Sequence, residues 1–504
     1  MEKTDILIIG SGLAGLFLAI KTAQKRPDLS IVIMTKSLAD TGNTRYAQGG
    51  IATVTDLVND SYEQHIQDTL SAGGGCCNEK IVRMVVQQAP DRIEELLTMG
   101  IAFDTKPSGI WDLGLEGGHS RNRILHHKDI SGLEIERKLL AVIPQLPNIR
   151  LLENQLCVDL STEKDKTDQE YCSGVFYFNK TRHRIKHIRA KSIVLSTGGC
   201  GQLFKNTTNP EVATGDGVAM AYRAGAAIEQ LHYIQFHPTA LYEANKHPFF
   251  LLSEALRGFG AYIVDENQKR FLFKYDTRGE LATRDIVSQA INSELEKTGK
   301  KHVYLDCRHL DYDAFYRHFP TITDYCRTIG LNPQEDLIPV VPAAHYQCGG
   351  ITVDQHSRTT VKNLYAIGEC SCTGLHGKNR LASNSLLEAL VFAHQGSEHI
   401  CKSIDTIAFS SLIFMNKQQS VLPDNPDSGF AVLKEELQQA MTAFYTDKEA
   451  KTALNTIKQL KTTADQINSK QKITPSFIEL INMLTVASLI VEQTKHSKNV
   501  TQLT

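Results

Sequence analysis

Ile6-Leu-Ile-Ile9 runs without a polar break into Gly10-Ser-Gly12-Leu-Ala-Gly15, and a second apolar stretch, Leu16 to Ala23, follows at once. A strand covered by helices on both faces must be apolar throughout, so the first run reads as a buried parallel strand. The second reads as a helix, and Ser30-Ile-Val-Ile-Met34 reads as the next strand, which completes a βαβ unit. In that setting Gly10 permits the tight turn and Gly12 lets a pyrophosphate approach the backbone. Gly15 allows the helix to pack closely, and the helix N-terminus offers partial positive charge to the phosphates. The opening of the chain therefore commits it to an α/β, Rossmann-like, dinucleotide-binding fold.

One expected part is absent. A dinucleotide fold that holds an NAD ribose ends its second strand in Asp or Glu. Here Thr35-Lys36-Ser37 stands there. Lys36 is suited to a phosphate, so a simple NAD dehydrogenase is disfavoured.

Ser192-Ile-Val-Leu-Ser-Thr197 and Asn363-Leu-Tyr-Ala-Ile367 read as two further buried strands, each ending near Gly. Residues 231–346 carry shorter, mixed signals, including a hairpin around Asp265-Glu-Asn-Gln268. They interrupt the nucleotide fold, so the expected division is a discontinuous cofactor-binding domain of residues 1–230 and 347–415 with an inserted α+β capping domain of 231–346. Lys417 to Gly429, with two Pro, reads as a linker to a C-terminal helical domain of 430–504. There Phe477, Leu480, Leu484, Ala487 and Val491 recur at helical spacing as one apolar face. The last residues, from His496, read as unstructured.

The formal net charge of −2 leaves no basic field for nucleic acid or an anionic membrane. Ile6 to Ile20 is the most membrane-like stretch, but it is short for a span and broken by Gly10, Gly12 and Gly15. No secretory signal precedes it, so a cytoplasmic protein is expected. The 11 cysteines are scattered without metal-ligand spacing and read as free thiols in a reducing compartment, with no metal expected.

A second constellation lies in residues 345–390. His345, Glu369 at the end of a strand, and Arg380 within Gly377-Lys-Asn-Arg380-Leu-Ala-Ser-Asn-Ser-Leu-Leu-Glu388 gather cationic and acidic groups near the other half of the nucleotide fold. Arg binds carboxylates in a bidentate fashion and His adds a donor, so an anionic substrate beside a flavin is indicated.

These residues, with Tyr46-Ala-Gln-Gly-Gly-Ile51, Glu116-Gly-Gly-His-Ser120, Gln235-Phe-His-Pro-Thr-Ala-Leu-Tyr242, Glu254-Ala-Leu-Arg-Gly258, Arg284-Asp-Ile-Val287 and Pro342-Ala-Ala-His-Tyr346, follow a known order over residues 1 to about 415. The chain resembles the L-aspartate oxidase family, within the superfamily of succinate dehydrogenase and fumarate reductase flavoproteins. The resemblance implies FAD as cofactor. It assigns FAD contacts to Ser11, Gly12, Leu13 and Ala14 and to Lys36. It adds the run Asn43, Thr44, Arg45, Tyr46, Ala47, Gln48, Gly49 and Gly50, then Asp216, Glu369, Ser385 and Leu386. Related membrane-complex flavoproteins tether FAD through a His where this chain has Asn43, so a non-covalent flavin is implied.

The resemblance also implies the substrate. Aspartate carries two carboxylates and an ammonium. His237, His345 and Arg380 match carboxylate-binding positions, with Gln235 and Glu254 beside them and Ser253 where Thr is usual. Glu116 stands where the dicarboxylate enzymes are aromatic, and a carboxylate there pairs with an ammonium that succinate and fumarate lack. The implied reaction is oxidation of L-aspartate to iminoaspartate, by loss of a hydride to flavin and of a proton on the opposite side. Arg284 matches the residue assigned to proton transfer, although a guanidinium holds its proton to above about pH 12. A lowered proton affinity, a relay through Glu254 or Arg257, and a purely electrostatic role all remain open from sequence, as does a structural ion pair with Asp285 or Asp276. Flavin reoxidation by O2 or fumarate, entry into NAD biosynthesis, and transient contact with quinolinate synthase follow from the same resemblance.

Three departures stand out: Phe259 replaces a usual Glu, Leu115 a usual Arg, and Thr283 a usual Pro before Arg284. Two other readings compete. One is a soluble fumarate reductase or succinate dehydrogenase flavoprotein, disfavoured by Glu116 and Asn43. The other is a catalytically silent flavoprotein, disfavoured by the intact set His237, Arg284, His345 and Arg380.

Overall fold

The computed structural model describes residues 2–244, 246–411, 429–447, 449–470 and 473–501. Its centre is a sheet in which Ile149–Leu152, Ile31–Met34, Glu2–Ile9 and Arg184–Leu195 lie side by side in parallel, with Leu364–Ala366 added parallel to the last. Ile6 pairs with Ile31 on one side and with Ser192 on the other, so the first strand is enclosed, and Ile6, Leu7 and Ile8 have no exposed surface. That enclosure is why its sequence is apolar throughout. An antiparallel hairpin, Gln155–Lys164 and Glu170–Asn179, extends the same sheet against the first half of Arg184–Leu195. The helix Leu13–Lys25 crosses between the first two strands and packs on Asn384–Ser403.

Between the two halves of the nucleotide fold lies a separate antiparallel sheet in the order Ile234–Leu241, Ile338–Gln347, Val303–Asp306, Tyr262–Val264. It has its own core, including Leu252, Leu256, Ile263, Val287 and Leu305. The reversal at Asp265–Gln268 is a tight turn with Gln268 at φ 60° and one bridge, Val264 to Arg270. It does not continue into a two-stranded hairpin, because Tyr262–Val264 takes Val303–Asp306 as its partner instead.

The C-terminal part is three helices, Phe430–Asp447, Ala450–Lys470 and Pro475–Thr501. Leu480, Leu484, Ala487 and Val491 are buried as the spacing predicts, but Met483, Val486 and Ile490 are buried too. The last helix is thus covered on more than one face, against its two partners and against Asp216–Arg223. Among the described residues Pro475–Ser497, not Ile6 to Ile20, is the helix long and apolar enough to cross a bilayer, yet 61% of its most apolar stretch is buried inside the protein. The helix also continues through Thr501, which corrects the expected unstructured end from His496. Most of the expected linker, residues 417–428, lies outside the described residues. All 11 cysteines are free.

Candidate active site

A cavity of about 840 Å³ follows the carboxyl ends of the parallel strands and reaches the inserted sheet. Gly10, Ser11, Gly12, Leu13 and Ala14 line it, as do Lys36 and the whole run from Asn43 to Gly50. Asp216, Glu369, Ser385 and Leu386 complete the expected cofactor set on its wall. Gly15 does not face the cavity. A Cβ there would fall 2.4 Å from Gly10 O, so it serves helix packing. Gly10 sits at φ 114° with Ser196 O 2.1 Å from where a Cβ would be, and only glycine fits that turn.

The N-cap of the helix Leu13–Lys25 is Gly12, which has no side chain to cap it; Thr44 accepts from the Leu13 N–H at 3.0 Å, and the following first-turn N–H groups are left for an anion. Asn384–Ser403 also starts uncapped at the same cavity, behind Ser383 at φ 58°. Two helix N-termini and a glycine-lined approach fit the pyrophosphate of a dinucleotide. Asn43 donates to Glu369 at 3.1 Å.

Lys36, expected to contact a phosphate, lies on the cavity wall within a polar cluster. Its ammonium is held by Thr214 at 2.6 Å, Asp216 at 2.8 Å and Glu479 at 2.7 Å. Burial works to lower its proton affinity, but the two carboxylates outweigh that and raise it. Glu479 belongs to the last helix, so the C-terminal module contributes to this wall. Asn482 of the same helix donates to Asp216. No local pattern near Lys36 could have announced a partner 443 residues away.

At the opposite end the cavity is lined by Glu116, His237, Ser253, Glu254, Arg284, His345 and Arg380. Gln235 stands behind them. Its Oε1 accepts from Arg284 Nη1 at 3.0 Å and from Arg380 Nε and Nη2 at 3.3 Å, while its Nε2 donates to Asn379 and to Arg380 O. Gln235, expected to bind substrate, thus bridges two guanidiniums in this structure. Arg380 further stacks over Tyr346, 4.3 Å from the ring centre, and donates to Ser385. Burial, then the charge of Arg284, lowers its pKa to about 10.

His237 and His345 come from paired strands whose register shifts twice near His237. Their ring centres are 5.0 Å apart. Burial, reinforced by Arg284, holds both well below the ordinary histidine value, so both are neutral. Thr239 N–H donates to His237 Nδ1, which leaves the proton on Nε2. That Nε2 has no partner among the described residues, a donor suited to a carboxylate. Thr208 fixes His345 through Nδ1 at 2.8 Å.

Arg284 opens the helix Arg284–Thr298 and pairs with Glu254, not with Asp285 or Asp276. Asp285 instead accepts from Asn379, and Asp276 pairs with Arg278. Glu254 also accepts from Arg257 at 2.6 Å, both side chains being fully buried. Burial opposes the Glu254 charge, yet Arg257 and Arg284 together keep its carboxyl below the ordinary value. Thr283 has φ −64°, a value a proline ring also imposes, so the backbone at this position suits either residue. Phe259 fills a cluster with Phe315, His318 and Phe319.

Glu116 is 2% exposed and accepts from Ser383 at 2.5 Å. Burial, then the nearby Glu254, raises its pKa. Its loop is pressed on the inserted segment. A Cβ at Gly117 would lie 2.2 Å from Glu254 Oε1, and one at Gly258 would lie 1.9 Å from Leu115 O. Ser383, which the sequence reading passed over inside its own motif, thus joins the carboxylate to the cofactor wall.

The sequence matches the FAD binding domain family over residues 5–386. It is 40% identical to L-aspartate oxidase of Yersinia pestis over 97% of this chain and 92% of that protein. The chain belongs to the L-aspartate oxidase family. A chloroplastic L-aspartate oxidase of Oryza sativa subsp. japonica is 44% identical over 78% of this chain and 61% of its own length. Among solved structures, E. coli quinol fumarate reductase FrdA superposes with a TM-score of 0.85 at 28% identity, over 98% of this chain and 89% of that one. L-aspartate oxidases and the fumarate reductase thus share with this chain an FAD-binding flavoprotein fold of mixed sheets and helices, and FAD is its cofactor.

Proposed function

We propose that this chain oxidises L-aspartate to iminoaspartate, the first step of NAD biosynthesis by the quinolinate route. The observation that carries the reading is a buried carboxylate, Glu116, in one cavity with Arg284, Arg380 and two neutral imidazoles. Two guanidiniums and the free His237 N–H suit two carboxylates. Glu116 suits the ammonium, which a dicarboxylate lacks. An unpaired buried carboxylate is costly, so a substrate that neutralises it is preferred over one that does not.

FAD, when bound, supplies the acceptor for the hydride. The residues supply position and charge. Amine-to-imine oxidation removes a hydride from carbon and one proton from nitrogen. Glu116, with its raised proton affinity, is suited to hold the ammonium and take that proton. Arg284 sits on Glu254, which sits on Arg257. This chain of contacts supports a proton relay through Glu254 rather than a free guanidinium base. It serves the reverse need, a proton for carbon, when fumarate reoxidises the flavin; O2 is the other acceptor in this reading.

Asn43, an amide already donating to Glu369, supports a non-covalent flavin. The separate sheet and core of the inserted segment support a cap of residues 231–346 over a discontinuous FAD domain, with residues 430–504 as a helical module. A cytoplasmic location and a transient contact with quinolinate synthase belong to the same reading.

The test is anaerobic mixing of the yellow protein with L-aspartate or succinate while flavin absorbance is followed. Bleaching by aspartate is expected. Bleaching by succinate alone selects a succinate dehydrogenase or fumarate reductase activity, and bleaching by neither selects a silent subunit.

A further inference from the structure

Away from the cavity, three side chains that the reaction does not use converge where the inserted segment meets the nucleotide lobe. Asp112 precedes the strand Leu113–Gly114 and His126 follows Ile124–Leu125. Those strands are antiparallel, with Leu113 opposite Leu125, so the register sets Asp112 across from His126. His318 ends the helix Tyr312–His318 of the inserted segment. One ligand atom from each of the three lies within 4.8 Å of the others, and all three side chains are half-buried. His318 Nε2 is 4.0 Å from Asp112 Oδ2.

We propose that Asp112, His126 and His318 bind a divalent transition-metal ion of the zinc class, and that the ion staples the inserted segment to the nucleotide lobe. Two imidazoles and a carboxylate are a donor set that zinc accepts, with a fourth position left for water. Zinc bonds of about 2.0–2.1 Å set ligand atoms about 3.4 Å apart, so rotation of side chains already this close completes the site. His126 Nδ1 lies 3.1 Å from Asp104 Oδ2. A carboxylate behind a histidine in this way fixes the ring and turns Nε2 to the metal. Asp104 is itself held by the Lys128 N–H. His318 is braced by Phe259, ring centres 5.2 Å apart.

The position gives the ion a mechanical consequence. Two residues beyond His318 begins the helix Pro320–Thr328, and Asp129 of the nucleotide lobe accepts from its Thr321 and Ile322 N–H groups. Asp129, Thr321 and Tyr325 line the cavity. A metal joining Asp112 and His126 to His318 therefore fastens the contact that closes one wall of the site.

The test uses FAD-loaded protein stripped of metal by dialysis against a chelator, then titrated with zinc chloride in competition with a chromogenic chelator. Thermal melting is recorded with and without zinc. The wild type should take up one equivalent more than Asp112→Asn or His318→Gln, and zinc should raise the Tm of the wild type but not of either variant. Asp104→Asn should keep the site with an affinity about 10–100-fold weaker. Flavin content and metal-free turnover of all three variants should match the wild type. Equal zinc uptake by the wild type and both ligand variants would place the ion on thiols elsewhere and overturn the proposal. So would zinc uptake without any change in Tm, which removes the staple.

Discussion

Arg284 and Arg380 meet on a single oxygen: Gln235 Oε1 accepts from both guanidiniums, at 3.0 and 3.3 Å. Two buried like charges are held side by side by one neutral dipole, and their net charge is left for the substrate. Glu254 is committed to Arg284 and Arg257. A dicarboxylate entering this corner completes the charge balance, and an uncharged ligand does not.

That bridge predicts the effect of Gln235→Ala. Hydrogen bonds to charged groups contribute about 1.5–3 kcal/mol. The variant should lose about 10–100-fold in kcat/KM for aspartate while retaining FAD and its melting temperature to within a few degrees. Steady-state kinetics with flavin content as control checks it. Unchanged kcat/KM would mean the arginines are positioned without the amide.

Glu116 and its raised pKa set opposite pH trends for two ligands. As pH rises through that value the carboxyl ionises. Aspartate should bind more tightly over this interval because its ammonium gains a partner. Succinate should bind more weakly, because it meets a new negative charge. Flavin-perturbation titrations across pH give both curves, and Glu116→Gln should flatten both. Parallel trends for the two ligands would remove Glu116 from the substrate.

Arg380 predicts a requirement for geometry as well as charge. Arg380→Lys keeps the positive charge but loses the stacking on Tyr346 and the paired bonds to Gln235. The Kd for succinate, read by flavin perturbation, should rise about tenfold. An unchanged Kd would reduce Arg380 to a point charge.

Glu479 tests the reach of the C-terminal helices. Glu479→Gln leaves Lys36 paired with Asp216 alone. FAD rebinding to the apoprotein, followed by flavin fluorescence, should weaken by roughly 3–10-fold, since the carboxylate is part-exposed and its partner keeps one acid. Identical affinity would confine the helix to packing.

Gly258→Ala probes the contact between the lobes. Its Cβ would meet Leu115 O at 1.9 Å, a backbone atom that cannot rotate away. Overpacking of this kind costs about 1–3 kcal/mol. The loop carrying Glu116 must move with it, so denaturant midpoint and kcat should fall together.

The sequence alone determined the first strand, the glycine turn and the helix, because an enclosed parallel strand and a phosphate-facing helix N-terminus each need particular residue types at adjacent positions. It also singled out His237, Arg284, His345 and Arg380, which line one cavity, since each lies in a local motif that can be read by itself. Tertiary structure alone decided how those groups are held. Gln235 bridges two arginines, Lys36 meets Glu479, and Ser383 reaches Glu116 across 267 positions. Asp112, His126 and His318 likewise became neighbours through strand register and lobe contact. Residues far apart in sequence leave no periodic trace of their meeting, and burial, which sets their charges, exists only once the chain has closed around them.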